Sequence, residues 1–185
     1  ADGRLIVLEV MGRNSGWIAL FSAIAGGADE VVVPEFDTPV EEIAEALKKR
    51  HDAGANFSIV VAAEGANLAF ASGESRQIRA NESTDDYGYP RLGGIGAALA
   101  TEIEALTGYE SRVTVLGHLQ RGGTPTAHDR ILATRYGVQA AECAIKGEFG
   151  HMAALIGNDI VSVPLSGITD VKTVDMQYVE VARKF

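Results

Sequence analysis

The sequence predicts an α/β domain in which helices cover a parallel sheet. Short apolar runs typical of buried strands alternate along the chain with runs of helical periodicity. An alternating order of strands and helices implies parallel pairing through right-handed crossovers. The chain has 185 residues, 46% of them hydrophobic, which is enough for one core of ordinary size with an appended lobe.

The first part of the chain alternates three strand patterns with two helix patterns. In order, these are RLIVLEV from Arg4, GWIALFSAIAGG from Gly16, EVVV from Glu30, TPVEEIAEALKKR from Thr38 and FSIVVAAEG from Phe57. In the second helix, Thr38 is expected to be the N-cap, and Glu41 is expected to complete a capping box. Trp17 is expected to pack the first helix against the sheet.

The second part begins with a polar stretch, Ser72–Pro90, which has no apolar period and predicts a loop or a partly mobile flap. A charged segment closes the chain. Between them come, in order, the helix pattern IGAALATEIEALTG, the strand pattern SRVTVLG, a long helix over about Thr126–Lys146, and the strand-like runs MAALIG and IVSVPL.

Composition excludes several classes of protein. Sixteen basic and 25 acidic residues give a net charge of −9, which opposes binding of nucleic acid by general charge attraction. No apolar run reaches the roughly 20 residues of a membrane span. Cys143 is the single cysteine, so no disulfide forms within the chain, which fits a cytoplasmic protein. The first residues show no signal-peptide pattern, and they enter a strand so abruptly that the chain is expected to belong to something longer.

Polar side chains collect where the predicted strands end. Ligands of open parallel sheets bind beyond the carboxyl ends of the strands. Arginines hold phosphate through charge-assisted hydrogen bonds, whereas a glutamate repels phosphate but accepts hydrogen bonds from sugar hydroxyls. The set therefore indicates a phosphorylated sugar. Its members are Met11, Gly12 and Arg13 after the first strand, Glu64 after the third, and His118, Gln120 and Arg121 after the fourth.

Two other sequence patterns do not predict a binding site. The glycines at 93, 94 and 96 do not follow a strand and lack the lysine of a phosphate-binding loop, so they are interpreted as structural. Asp85 and Asp86 are interpreted as a solvated loop rather than a magnesium site. No metal-ligand spacing such as CxxC or HExxH occurs, and no metal site is predicted.

Two long stretches of the chain resemble the C-terminal half of phosphofructokinases. These are EVMGRNSGWIALFSAIAGGADEVVVPE and VLGHLQRGGTPTAHDRILATRYG. A third stretch is most similar to a bacterial subgroup of this family that contains both ATP-using and pyrophosphate-using members. This stretch is YGYPRLGGIGAALATEIEALTG. The resemblance covers nearly the whole chain. It implies a three-layer, Rossmann-like domain with a parallel sheet. It also implies an activity in glycolysis, the Mg²⁺-dependent transfer of a phosphoryl group to the 1-hydroxyl of fructose 6-phosphate, giving fructose 1,6-bisphosphate.

The resemblance also implies roles for individual residues. Arg13 is expected to face the transferring phosphoryl group and is the one catalytic residue predicted. Arg4 and Arg112 are expected to reach across a subunit interface to the 6-phosphate of a neighbouring site, which implies a homodimer or homotetramer. The expected substrate-binding residues are Arg4, Met11, Gly12, Arg13, Glu64, Arg112, His118, Leu119, Gln120 and Arg121.

Parts of the family pattern are missing from this sequence. Neither the glycine-rich GGDG-type donor loop nor the TIDND-type segment with the catalytic aspartate occurs. Phosphoryl transfer needs a positioned donor, metal and base, so the chain alone is expected to bind no cofactor or metal and to be inactive. The choice between ATP and pyrophosphate stays open. Three regions are expected: a sugar-phosphate domain over 1–120, a segment over 121–165 that returns to the missing N-terminal half, and a C-terminal part of the α/β domain over 166–185.

Allosteric members of the family place basic residues just before the third strand. Here Ala53–Phe57 carries no charge, although Asp29 matches an acidic position of the effector site. This site is therefore expected not to bind ADP.

Two other classes of protein stay open as alternatives. One is a free-standing, non-catalytic module for sugar-phosphate binding or oligomerisation. The other is a dinucleotide-binding dehydrogenase, which is disfavoured because MGRNSG stands where GxGxxG is required.

Overall fold

The computed structural model describes residues 4–70, 74–84, 88 and 90–184. Contacts divide the chain into two units. Unit 1 comprises the described residues up to Arg121 and those from Lys172 onward, and unit 2 is Gly122–Val171. The boundaries expected after residues 120 and 165 divide the chain by role rather than by contact, and they stay a prediction. Asp85 and Asp86 lie outside the described residues.

Strands and helices alternate through the described part of the chain. The strands are β1 (Arg4–Val10), β2 (Glu30–Val32), β3 (Thr38–Pro39), β4 (Phe57–Ala63), β5 (Asn67–Ala69), β6 (Ser75–Gln77), β7 (Arg79–Thr84), β8 (Pro90–Leu92), β9 (Glu110–Val115), β10 (His151–Ile156) and β11 (Asp159–Pro164). The helices are α1 (Trp17–Gly26), α2 (Val40–Asp52), α3 (Ile95–Thr107), α4 (Ala127–Lys146) and α5 (Met176–Ala182).

Unit 1 is built on a four-stranded sheet in the order β2-β4-β1-β9, and each of its neighbouring pairs is parallel. The crossover from β1 to β2 runs towards one edge of the sheet, and those from β2 to β4 and from β4 to β9 run back towards the other. Right-handed crossovers therefore place α1 on one face and α2 and α3 on the opposite face. Accordingly, α2 contacts α3, and α1 contacts α5. The predicted three-layer α/β fold is confirmed.

The core of unit 1 lies on both faces of this sheet. Val7 and Val60, on adjacent strands, are fully buried, and so are Leu20 of α1 and Leu99 of α3. Strands covered on both faces read as continuous apolar runs rather than as alternating ones, which is why β1 and β4 were recognisable in the sequence. Trp17 packs against this core as expected, and its ring also stacks on Phe21 with centroids 5.5 Å apart.

The predicted N-cap of α2 is wrong. Thr38 is not at the helix terminus but in β3, where it pairs with Leu68 of β5. The helix begins at Val40, with Pro39 at the N-cap and no side-chain capping bond. Pairing with β5 holds Thr38 in extended conformation, and this tertiary contact overrides the local capping signal.

The prediction of a loop over Ser72–Pro90 is wrong for the described residues of that stretch. Most of them form β6, β7 and the start of β8, in the antiparallel pairs β5–β6 and β7–β8. Residues 74–76 of this stretch are exposed, so they show none of the apolar alternation by which a half-buried strand is recognised. The helix α5 was also missed, because only Val179 and Ala182 of its seven residues are buried.

Unit 2 consists of α4 and the antiparallel hairpin β10–β11, and α4 contacts both strands. Thr126 and Asp129 form a reciprocal capping box at the start of α4, and the bonds from Thr126 lower the pKa of the Asp129 carboxyl. Residues 122–171 are all described, and among them Cys143 alone is buried. Ile145 and Phe149 are more than 80% exposed. This unit therefore does not bury a core of its own.

Candidate functional site

The candidate site lies where the winding of the sheet reverses. β1 and β4 are neighbours, yet the chain leaves β1 for α1 on one face and next crosses from β4 to α3 on the other. Such a switch point opens a crevice beyond the carboxyl ends of the two strands. A cavity of about 480 Å³ lies there. Its lining residues are Met11, Gly12, Arg13, Ile18, Glu64, Gln120 and Arg121.

The turns after β1 and β4 are hydrogen-bonded to each other. The Glu64 N–H donates to the Val10 carbonyl at 2.9 Å, and the Gly65 N–H donates to the Gly12 carbonyl at 3.0 Å. The Gly12 N–H lies 3.5 Å from Glu64 Oε1. Gly12 has φ +148°, and a Cβ on it would lie 2.9 Å from the Ser15 carbonyl oxygen. The turn that carries Arg13 thus requires glycine at position 12.

Gly65→Ala is expected to destabilise unit 1 severely. A Cβ at position 65 would overlap the carbonyl group of Arg13, which belongs to the backbone and cannot rotate away. Overpacking of this kind costs about 1–3 kcal/mol or more. Urea unfolding followed by the fluorescence of Trp17, the single tryptophan, measures the loss.

Gly26→Ala is the matched control for this substitution. Gly26 also lies in unit 1, and nothing stands within 4 Å of a Cβ built on it. Its substitution is expected to leave the free energy of unfolding unchanged or to raise it by about 0.5–1 kcal/mol. A Gly65→Ala protein as stable as Gly26→Ala would contradict the close packing of the two turns.

The strand β9 brings the third group of side chains through the 3-10 turn Gly117–Arg121. The Leu116 N–H donates to the Glu9 carbonyl at 3.1 Å, which fixes this turn beside the end of β1. Arg121 Nε then lies 3.3 Å from the Met11 sulfur. The structure thus brings Arg13, Glu64 and Arg121 to one cavity, as the sequence predicted.

Two predicted residues of this turn do not line the cavity. His118 and Leu119 are both exposed, Leu119 to 77%. Conversely, Ile18 lines the cavity, and the sequence reasoning did not identify it. The available signal was its position in the first turn of the helix that follows Arg13.

Arg4 and Arg112 lie towards the opposite end of the strands. The seven steps from Arg4 to Met11 along β1 span roughly 23 Å at about 3.3 Å per residue. Both arginines are exposed and line a separate cavity of about 850 Å³. Arg112 pairs with Glu110 across 3.4 Å. Arg4 is therefore too far away to contact a ligand held in the cavity of its own chain at Arg13, and Arg112 lies beside Ile6, five residues before Met11.

Carboxylates of the protein itself occupy two helix N-termini at the site edge of the sheet. Helix N-termini bind phosphate because their N–H groups are unpaired. At α3, however, the buried Glu9 carboxylate accepts the Gly94 N–H at 3.3 Å and the Gly96 N–H at 2.8 Å. At α1, Glu35 accepts the Gly16 N–H at 3.0 Å. The Gly94 and Gly96 N–H groups are therefore already bound to a carboxylate of the protein itself, which agrees with the interpretation of these glycines as structural.

Asp29 has a basic partner that the sequence reasoning missed. Its carboxylate lies 2.7 Å from Arg50 Nε and also accepts the Ile59 N–H at 2.8 Å. This partner lies at the end of α2, before the uncharged stretch Ala53–Phe57 in which the basic residues of allosteric members are expected. Beside this pair, burial raises the pKa of the Glu30 carboxyl, and the charge of Arg183 opposes that shift.

Within the described residues, no three His, Cys, Asp or Glu side chains are grouped so that they could hold a metal ion. No described helix has both the length and the apolar character needed to cross a bilayer.

The fold and the cavity together define a doubly wound α/β domain with two arginines and a glutamate at its switch point. Comparison with known proteins gives the family. The family model described as "Phosphofructokinase" matches residues 1–144, and the chain belongs to the phosphofructokinase family.

Curated relatives include enzymes named for both phosphoryl donors. The pyrophosphate–fructose 6-phosphate 1-phosphotransferase of Streptomyces coelicolor is 49% identical over 173 residues, which cover 93% of this chain and 49% of the relative. The ATP-dependent 6-phosphofructokinase of Chloroflexus aurantiacus is 48% identical over 166 residues, covering 90% and 44%. The chain spans about half the length of these relatives.

Solved structures agree with this assignment. Phosphofructokinase from Saccharomyces cerevisiae matches with a TM-score of 0.67 and 30% identity over 98% of this chain and 21% of that one. A pyrophosphate-dependent phosphofructokinase from Marinobacter aquaeolei matches with a TM-score of 0.72 over 98% and 48%. Its identity of 22% supports the fold alone.

Proposed function

We propose that this chain is the C-terminal, fructose 6-phosphate-binding half of a cytoplasmic 6-phosphofructokinase of glycolysis. The intact enzyme transfers a phosphoryl group from ATP or pyrophosphate to the 1-hydroxyl of fructose 6-phosphate and releases fructose 1,6-bisphosphate. The observation that carries the proposal is the convergence of Arg13, Glu64 and Arg121 on one cavity at the switch point. Two guanidinium groups suit the phosphates, and one carboxylate suits the sugar hydroxyls.

The donor and Mg²⁺ are assigned to the other half of the enzyme. Mg²⁺ prefers carboxylate and phosphate oxygens in octahedral geometry, and the described residues offer no carboxylate cluster for it. The helix N-termini of α1 and α3 are filled by Glu35 and Glu9, which supports placing the donor phosphates elsewhere. In the intact enzyme the metal would neutralise charge on the transferring group, while this half holds and orients the acceptor.

Arg13 is assigned to the charge that develops on the moving phosphoryl group. It follows Gly12 directly, in the turn fastened to Gly65, so its backbone is held before the substrate binds. Preorganised charge of this kind stabilises a transition state without reorganisation. Arg121 is assigned to the bound sugar phosphate. The substrate contacts expected for His118 and Leu119 of the same turn stay predictions, since neither residue lines the cavity. Arg4 and Arg112 are assigned to the 6-phosphate of a neighbouring subunit, which makes the enzyme a homodimer or homotetramer.

Unit 2 is assigned to the contact with the N-terminal half of the enzyme. It covers most of the segment predicted for this contact, 121–165, and continues to Val171. The support is its exposed apolar surface. Apolar side chains exposed in such number on a soluble protein are typical of an interface. The side chains concerned are Ile131, Val138, Ile145, Phe149 and Ile156, each more than half exposed.

The chain alone is expected to show no phosphorylation of fructose 6-phosphate, because it lacks the donor loop and the catalytic aspartate. A coupled assay with ATP and then with pyrophosphate tests this, and the full-length enzyme serves as the positive control. Turnover that scales with the concentration of the chain and survives repurification would contradict the expectation. A full-length protein inactive with both donors would contradict the proposed function and favour a non-catalytic binding module.

ADP and phosphoenolpyruvate are expected not to regulate the intact enzyme through the Asp29 site. The Asp29 side chain is only 6% exposed and is already paired with Arg50, and Ala53–Phe57 supplies no charge. Saturation curves for fructose 6-phosphate with and without each effector should therefore overlay. A several-fold shift of the curve that Asp29→Ala abolishes would contradict this.

A further inference from the structure

We propose that Gln120 is a positioning residue, which holds the turn that carries Arg13 rather than binding the sugar phosphate. This inference rests on the proposed function. The expectation from the sequence was a direct contact between Gln120 and the substrate. The structure shows its side-chain amide engaged with the protein on both sides.

The first contact is to the backbone of the turn after β1. The Met11 N–H donates to Gln120 Oε1 at 3.2 Å. Met11 is the first residue beyond β1. Because Gly12 and Arg13 follow immediately, a restraint on the Met11 peptide also restrains the direction in which Arg13 leaves the sheet.

The second contact fixes the amide itself. Gln120 Nε2 donates to the Gly117 carbonyl at 3.1 Å, within the same 3-10 turn. The two contacts together set the orientation of the amide. Exchanging its oxygen and nitrogen would place an N–H against the Met11 N–H and an oxygen against the Gly117 carbonyl. The acceptor is thus aimed at Met11 before any ligand binds.

The half-buried Gln120 also joins two of the three strand ends that make the cavity. The turn after β4 holds Gly12 from one side through Gly65, and Gln120 holds Met11 from the other. Arg121, the next residue, adds its contact to the Met11 sulfur at 3.3 Å. Gln120 therefore sets the spacing between Arg13 and Arg121, the two cations proposed to hold the reacting molecule.

A direct ligand and a positioning residue differ in their kinetic signatures. Loss of a ligand to the unreacted sugar phosphate raises KM and leaves kcat nearly unchanged, because both ground and transition states lose the same binding. Loss of positioning displaces Arg13 from the charge that forms only during transfer. In that case kcat falls and KM changes little.

The test uses Gln120→Met in the full-length enzyme, because methionine keeps the length of the side chain and removes both amide contacts. We expect kcat to fall by about tenfold or more, with KM changed by less than about threefold. Gln177→Met is the matched control. Gln177 is exposed on α5, where its contacts go to Asp175, and both kinetic constants should stay at wild-type values.

A second measurement reports the contact without relying on activity. Hydrogen–deuterium exchange at residue resolution should show the Met11 amide protected in the wild type and in Gln177→Met. In Gln120→Met it should exchange about tenfold faster or more. Gln120→Glu retains an acceptor for the Met11 N–H but places an oxygen against the Gly117 carbonyl, so it should restore only part of this protection.

The outcomes separate this proposal from the proposed function. A raised KM with kcat intact would make Gln120 a substrate ligand and overturn the inference. Equal Met11 exchange in the wild type and Gln120→Met would overturn it as well, since no restraint would then exist. A wild-type enzyme without fructose 6-phosphate kinase activity would instead overturn the proposed function, and the exchange data would still decide whether Gln120 holds the turn.

Discussion

Arg13→Ala in the full-length enzyme is expected to lower kcat by about 10²–10³-fold, with a much smaller change in the KM for fructose 6-phosphate. The guanidinium is proposed to meet charge that appears only as the phosphoryl group moves. Its loss therefore costs stabilisation of the transition state more than it costs binding of the substrate. Steady-state kinetics at saturating donor measure both constants.

Arg76→Ala is the control for this substitution. Arg76 is an exposed arginine of β6 that pairs with Glu74 and lies over the Phe70 ring, and it does not line the cavity. Its removal makes the same change in net charge and should leave kcat unaltered. An Arg13→Ala enzyme with normal kcat and a raised KM would show that Arg13 binds the unreacted substrate instead.

Much of the fold could be predicted from the sequence because buried parallel strands are simple to recognise. β1 and β4 are continuous apolar runs, and β1 has the bounds that its pattern predicted, Arg4–Val10. The predictions that failed depend on tertiary contacts. The capping signal at Thr38 was overridden by pairing with β5. The sequences of β6 and β7, SRQ and RANEST, show no apolar alternation by which these strands could be found.

The candidate site was predictable to a similar degree. Arg13, Glu64 and Arg121 could be placed together because each directly follows a strand, and the ends of parallel strands share an edge. The partners of buried carboxylates could not be found in this way. Glu9 reaches the start of α3 across 85 positions of the sequence, and Arg50 meets Asp29 from a neighbouring helix. Such pairs are distant in the sequence, so no local sequence pattern predicts them.

Arg4→Ala is expected to raise the KM for fructose 6-phosphate by tens- to thousands-fold, with kcat less affected. The 6-phosphate does not change during the reaction, so an arginine that holds it contributes equally to the ground and transition states. Truncating an arginine that pairs with a desolvated charge costs on the order of 2–5 kcal/mol, which corresponds to this range of affinity. Arg112→Ala should behave in the same way.

Hybrid oligomers decide whether Arg4 serves the neighbouring subunit. Arg4 lies roughly 23 Å along β1 from the turn of Arg13, at about 3.3 Å per residue, so it cannot serve the cavity of its own chain. In a hybrid of Arg4→Ala and Arg13→Ala subunits, the intact Arg13 of the first subunit meets the intact Arg4 of the second. One complete site is thereby rebuilt, and activity should exceed that of either parent oligomer. If Arg4 instead acted within its own chain, each site of the hybrid would lack one arginine and mixing would restore nothing. A verified hybrid without recovered activity, or a KM unmoved by Arg4→Ala, would leave Arg4 and Arg112 as ordinary surface charges and would remove the argument for a shared site.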